Sequence, residues 1–165
     1  MEFLEKDLEE ILKSTPTQKL KNAGLEFLSG RDRIFTQLKI GNYGVADVIF
    51  CSRYDNYIDI TVAELKKDKI GISAFLKALR YAKGIQRFFE ERGYKEDFDG
   101  MLVKSFYNVS ISIILIGRKL DTEGSFCFLP EFVPNKRVEF YTYAYEFDGI
   151  KFKNEHGYKL VEEGF

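Results

Sequence analysis

Histidine is almost missing from this chain: His156, close to the C-terminal end, is the only one. That scarcity argues against a histidine-rich zinc site and against a histidine general base. The two cysteines, Cys51 and Cys127, lie far apart and form no CxxC pair, so neither a zinc knuckle nor a disulfide framework is indicated. Tryptophan is absent, and the aromatic side chains are all Phe and Tyr. No run approaches the roughly 18 apolar residues of a membrane span. The start Met1-Glu2-Phe3-Leu4-Glu5 is acidic and leads into no apolar h-region, unlike a secretory signal. A reducing cytoplasm is the expected compartment, with no membrane partner.

An excess of one charge is missing as well. The net charge is −1, which is not that of a typical nucleic-acid binder. The distribution says more than the total. From Lys66 to Lys95 there are nine basic residues against three acidic ones, a net of +6, which leaves −7 for the rest of the chain. A local basic surface beside an acidic body can steer a polyanion without a high overall isoelectric point. A basic, solvated helix face is the plainer explanation of the same residues.

The 165 residues suit one domain with a sizeable core. Leu4, Leu8, Ile11 and Leu12 recur at helical spacing and predict a helix over 3–13. Ser14-Thr15-Pro16 should stop it, because the residue before proline avoids the α region. Residues 17–31 read as a loop with a short turn. Strands are predicted over Arg33–Ile40, Tyr43–Cys51 and Tyr57–Lys66, with Gly41-Asn42 as a hairpin turn between the first two. The longest helical pattern runs from Ile72 to Arg92, with Gly93 just past its end. Its apolar lines are Ile72, Phe75, Leu79, Ala82 and Ala78, Tyr81, Ile85, Phe88, Phe89. Lys77, Arg80, Lys83 and Arg87 form a basic strip. Further strands are expected over 100–103, 111–117 and 138–147, with a loop over 121–125 and a hairpin turn at Asp148-Gly149. This order predicts an α/β or α+β arrangement around a mixed sheet.

Two of these strands carry charge where a core strand should carry none. They are Gly44-Val45-Ala46-Asp47-Val48-Ile49 and Val62-Ala63-Glu64-Leu65-Lys66. Side chains alternate along a strand, so Glu64 and Lys66 share a face with Ile58, Ile60 and Val62, while Leu65 points the other way. A carboxylate is seldom buried unless it is paired or holds a cation. Two carboxylates and a lysine on one sheet face make a divalent-metal site with a positioned ammonium, which suits phosphodiester cleavage.

Asp47 followed 17 residues later by Glu64-x-Lys66, across a strand-turn-strand and ahead of a long helix, resembles the PD-(D/E)XK nuclease superfamily. Gly44 stands where that family has a glycine shortly before its aspartate, and Ala46 replaces the nominal proline. Glu5-Lys6-Asp7-Leu8 matches the first-helix string E-[RK]-[DE]-L, which makes Glu5 the carried-over glutamate and Glu9 its rival one turn later. Lys77-Ala78-Leu79-Arg80-Tyr81 stands where some members have Q-x-x-x-Y; the tyrosine matches and lysine replaces glutamine.

The resemblance implies a restriction-endonuclease-like α-β-β-β-α-β core over about residues 1–117, with extra C-terminal strands in 118–165. It implies a metal-dependent nuclease, endonuclease rather than exonuclease, cutting phosphodiester bonds in DNA. Asp47, Glu64, the Leu65 main-chain carbonyl and Glu5 would hold Mg²⁺ or Mn²⁺. Lys66 would assist the attacking water, and Lys77, Arg80, Tyr81, Lys83 and Arg87 would contact the nucleic acid. A nuclease fold retained as a non-catalytic nucleic-acid-binding or protein-interaction module is the alternative. A homodimer would suit paired cuts, with the aromatic run Phe140, Tyr141, Tyr143, Tyr145, Phe147 as its interface.

Overall fold

The computed structural model describes residues 4–54, 56–98, 100, 108–121 and 137–155. In chain order the elements are α1 (Glu5–Ser14), α2 (Thr17–Asn22), β1 (Arg33–Lys39), β2 (Val45–Tyr54), β3 (Tyr57–Leu65), β4 (Lys69–Ile70), α3 (Ile72–Glu91), β5 (Asn108–Gly117), β6 (Lys119–Leu120), β7 (Val138–Glu146) and β8 (Gly149–Glu155). The fold is α/β around a mixed six-stranded sheet of order β1-β2-β3-β5-β7-β8, and β4 pairs with β6 apart from it. β1, β2 and β3 form an antiparallel meander. β3, β5 and β7 run parallel, and β8 closes the far edge antiparallel to β7. A parallel neighbour needs a crossover, and α3 lies in the one from β3 to β5.

The central strands are buried on both faces, which is why they read as near-continuous apolar runs. Ile58, Ile60 and Val62 of β3 pack with Ile113 and Leu115 of β5 against Phe75, Ala78, Tyr81, Ala82, Ile85 and Phe89 of α3. The alternate residues Ala63, Leu65, Ile114 and Ile116 turn the other way, against Leu8 and Leu12 of α1 and Leu20, Leu25 and Leu28. Full burial of each such aliphatic or aromatic side chain contributes about 1.5–3 kcal/mol. α1 begins where its sequence allows: the Leu4 amide donates to Oδ2 of Asp7 at 2.7 Å, and Ser14 is its last residue ahead of Thr15-Pro16. Gly93 follows α3 at φ +61, the left-handed conformation expected of a residue past a helix end.

Several expectations need correction. Residues 17–22 form α2 rather than a loop. The carbonyl of Pro16 accepts from the Lys19 and Leu20 amides, and Leu20 is buried, but so short a helix shows no readable period. The β1–β2 connection is not a two-residue turn. A 3₁₀ turn covers Gly41–Tyr43 and the chain reverses through Gly44 at φ +115, with the Ile40 amide on the Gly44 carbonyl at 2.8 Å. Ile72, expected in an apolar line, is exposed, because it starts α3 on the side turned away from the sheet, whereas Ala74 and Phe75 of the same turn are buried. The aromatic run of β7 is not a free interface. β7 is paired on both sides, and Phe140, Tyr141 and Tyr143 are core residues; Tyr145 and Phe147 alone are exposed. The strand expected over 100–103 lies outside the described residues apart from Gly100, as does the 121–125 loop apart from Asp121. Cys127 and His156 also lie outside them. No helix among the described residues is long and apolar enough to cross a membrane.

Candidate active site

The antiparallel register of β2 and β3 sets Val48 opposite Ala63. One step further along that register brings Asp47 across from Glu64. Period-2 alternation puts Asp47 on the face of Ile49 and Cys51, and Glu64 on the face of Ile60 and Val62, which is the face that α3 covers. The Leu65 amide donates to Oδ2 of Asp47 at 3.1 Å, so a side chain takes up the ladder where strand pairing stops. Asp47 is half-buried and Glu64 is buried.

Glu64 is the most perturbed group of the site. Its Oε2 is buried without a hydrogen-bond partner. Burial pushes its carboxyl up to about 8, and the adjoining Asp47 carboxylate pushes the same way. The Lys66 and Lys77 ammonium groups pull it back down. Neither lysine makes a contact ion pair with it among the described residues, so both act across a gap. Two carboxyl groups from the sheet thus meet the ammonium groups of Lys66, just past β3, and Lys77, on α3.

The last residue of that set separates the basic strip into two parts. Lys77 is half-buried and acts on Glu64, whereas Arg80, Lys83 and Arg87 are exposed and form no ion pair among the described residues. Tyr81 is buried against the start of β2: a Cβ on Gly44 would lie 2.8 Å from its ring. The Arg80 guanidinium sits over the Tyr81 ring at 5.5 Å from the centroid. Gly44 is therefore needed twice, for its φ of +115 and for the approach of Tyr81.

The two glutamates of α1 part company. The Lys67 amide donates to Oε1 of Glu5 at 3.2 Å, which brings Glu5 to the end of β3 just beyond Lys66. Glu9 accepts instead from the side-chain amide of Gln37 on the edge strand β1, at 3.2 and 3.3 Å. Glu5 is the one beside the triplet, but its carboxylate is engaged by the main chain. Among the described residues no three His, Cys, Asp or Glu side chains form a group that could hold a metal. The fit to a hard divalent cation rests on the Asp47–Glu64 pair and the unpartnered Oε2. Oxygen donors of this kind suit Mg²⁺ or Mn²⁺ rather than a thiolate- or imidazole-loving ion.

Two further residues escape a sequence reading. The Tyr143 hydroxyl donates to the Lys67 carbonyl at 2.8 Å, 76 residues away in sequence. With Glu5 on the Lys67 amide and the Ile116 carbonyl accepting from the Lys66 amide at 2.8 Å, the main chain around Lys66 is held on every side. Gln37 has φ +50, a left-handed backbone at a non-glycine residue, and β1 pairs with β2 on either side of it through Thr36–Val48 and Leu38–Ala46. It therefore stands level with Asp47, yet its side chain reaches α1. Nothing in the residue pattern announces either feature, since one is a long-range contact and the other a backbone conformation. A cavity of about 490 Å³ lies further along α3, lined by Ile40, Tyr43, Gly84, Arg87 and Phe88 among others, and none of Asp47, Glu64, Lys66 and Lys77 borders it.

Against known proteins, the chain matches no family model, no curated protein and no solved structure.

Proposed function

We propose that the protein is a divalent-metal-dependent nuclease that hydrolyses phosphodiester bonds, with DNA as its substrate. The observation that carries this reading is the buried Glu64 carboxyl, its Oε2 without a hydrogen-bond partner, set beside Asp47 with Lys66 and Lys77 acting on it. The order α1, β1–β3, α3, β5, with β5 parallel to β3, supports a restriction-endonuclease-like core. So does the placement of Glu5 at the end of β3.

Asp47 and Glu64, with the Leu65 main-chain carbonyl, would hold Mg²⁺ or Mn²⁺, whose contribution is to polarise the phosphoryl oxygen and acidify water. Everything else is done by the chain. The Leu65 amide keeps the Asp47 carboxylate in place. Glu64 must give up its proton to serve as a ligand, so metal binding and proton release are linked. Lys66, with its backbone held, orients the attacking water and offsets charge on the phosphoryl oxygens as the transition state forms. Lys77 supplies a second ammonium toward the same phosphate. Arg80, Lys83 and Arg87 meet neighbouring phosphates, a contact that positions without reading sequence.

The test is cleavage of supercoiled plasmid and of single-stranded DNA with Mg²⁺ or Mn²⁺, comparing the wild type with Asp47→Ala, Glu64→Ala and Lys66→Ala. Loss of cleavage in all three is expected. Full activity in all three would show that the assigned site is wrong.

A further inference from the structure

The surface around the carboxylates bears on the structure of the nucleic acid, and this step rests on the nuclease reading. Three large apolar side chains near the site are left uncovered: Val45 is 43% exposed, Ile72 48% and Leu76 56%. Ile72 and Leu76 are one turn apart on α3, and the same stripe continues through Arg80, Lys83 and Arg87 at steps of four, three and four residues. Its apolar end is the end at the site. Leu76 immediately precedes Lys77, which acts on Glu64, and Val45 lies two residues from Asp47 on the same face of β2. A Cβ built on Gly44, next to Val45, would lie 2.8 Å from the Tyr81 ring and 3.5 Å from the Arg80 guanidinium. The start of β2 therefore borders the exposed stripe at Arg80, one turn beyond Leu76.

The two halves of the stripe ask for different chemistry. From Arg80 to Arg87 the helix advances about 10 Å, so the three cations face a short run of neighbouring phosphates. Three cations without ion-pair partners among the described residues complement that run of phosphates. Val45, Ile72 and Leu76 complement no phosphate. A continuous duplex turns charged backbone outward and hides the faces of its bases, so it would lay desolvated phosphate or sugar on these three side chains. An unpaired nucleotide offers an apolar base face instead, and aliphatic side chains are known wedges against unstacked bases.

We propose that the scissile phosphate is presented next to unpaired bases, in a single strand or at an interruption of a duplex, with Ile72, Leu76 and Val45 against the base faces. Arg80, Lys83 and Arg87 then hold the backbone leading away from the cut.

The experiment uses the full chain and three fluorescein-labelled DNAs of one sequence: a single strand, a continuous duplex, and the duplex with a central unpaired bubble. Cleavage with Mn²⁺ is followed by gel, and binding in EDTA by fluorescence anisotropy. The single strand and the bubble are expected to be cut and bound at least ten-fold better than the continuous duplex. Ile72→Ser/Leu76→Ser is expected to raise KM on the bubble roughly ten-fold, which corresponds to about 1.4 kcal/mol. Both side chains are exposed, so this variant keeps the fold, which circular dichroism checks. Equal or better cutting and binding of the continuous duplex overturns the proposal. So does a homodimer in solution that the double substitution dissociates, since the patch would then cover a second copy. Absence of cleavage on all three DNAs, with the preference for unpaired DNA kept in the anisotropy, would sink the nuclease reading and leave the surface assignment standing.

Discussion

Asp47 accepts a hydrogen bond from the main-chain amide of Leu65 at 3.1 Å, so the residue between Glu64 and Lys66 fixes the carboxylate that faces them. The bond ties the two strands together at the point where their ladder ends, and it fixes the spacing of the two acidic groups. The metal-ligand candidate is thus a structural fastener as well.

Asp47→Asn and Asp47→Ala should separate those two roles. Asparagine keeps an oxygen that can accept from Leu65 but loses the charge. Its thermal stability should stay near that of the wild type, while cleavage falls about 100-fold or more, as expected when a charge aimed at the transition state is removed. Alanine loses both, and should cost a further 1.5–3 kcal/mol in urea unfolding, about the value of a hydrogen bond to a charged group.

The raised Glu64 carboxyl gives stability a definite pH dependence. Its folded pKa, about 8, lies above the ordinary carboxylate value, so the folded state holds its proton more tightly than the unfolded chain. The stability this provides is complete in mild acid, below the unfolded pKa, and is lost as pH rises through about 8. Melting temperatures in EDTA should fall over that window for the wild type and fall less for Glu64→Gln. Added Mn²⁺ should restore stability more at pH above 8 than below it, because the ligand form is the deprotonated one.

Lys77 can be told from the rest of the basic strip by its effect on the same group. It pulls the Glu64 pKa down, so Lys77→Gln should move the alkaline rise of kcat/KM to higher pH. Lys83→Gln should weaken DNA binding without moving that midpoint, since Lys83 is exposed and is not among the groups that act on Glu64 most strongly. A Lys77→Gln midpoint equal to that of the wild type would return Lys77 to the outer strip.

Gly44→Ala should disturb the site through packing alone. The new Cβ would lie 2.8 Å from the Tyr81 ring, on a backbone at φ +115 that alanine seldom adopts. The expected destabilisation is about 1–3 kcal/mol, read by denaturant unfolding. Cleavage should drop as the start of β2 shifts against Tyr81 and Arg80. At Gly41, where a Cβ meets nothing within 4 Å, the same change should cost less despite a positive φ of +47.

Asp47, Glu64 and Lys66 were legible because strand alternation is a strictly local rule. An acidic residue placed between Val62 and Leu65, or after Ala46, must take one of two faces, and the neighbouring aliphatic residues identify which. The order α1, β1, β2, β3, α3 was legible for the same reason, since each of those segments carries its own period, whereas the two-residue β4 carries none. The two-residue turn at Gly41-Asn42 was misread because the reversal is longer, a 3₁₀ turn over Gly41–Tyr43 completed by Gly44. α2 was missed because six residues carry less than two helical turns.

By itself, then, the sequence determined the local pattern: which residues alternate, where helices stop, and that two carboxylates and a lysine share one face of adjoining strands. Only the tertiary structure decided how deeply Glu64 is buried, that Lys77 joins it while Arg80, Lys83 and Arg87 stay outside, and that Glu5 reaches the end of β3 while Glu9 turns to Gln37. It also decided that Ile72 and Leu76 remain uncovered and that Tyr143 holds the main chain beside Lys66. Periodicity follows from the geometry of one segment. Burial, charge coupling and long-range hydrogen bonds depend on how a helix rolls and shifts on its sheet, and residues distant along the chain settle that together.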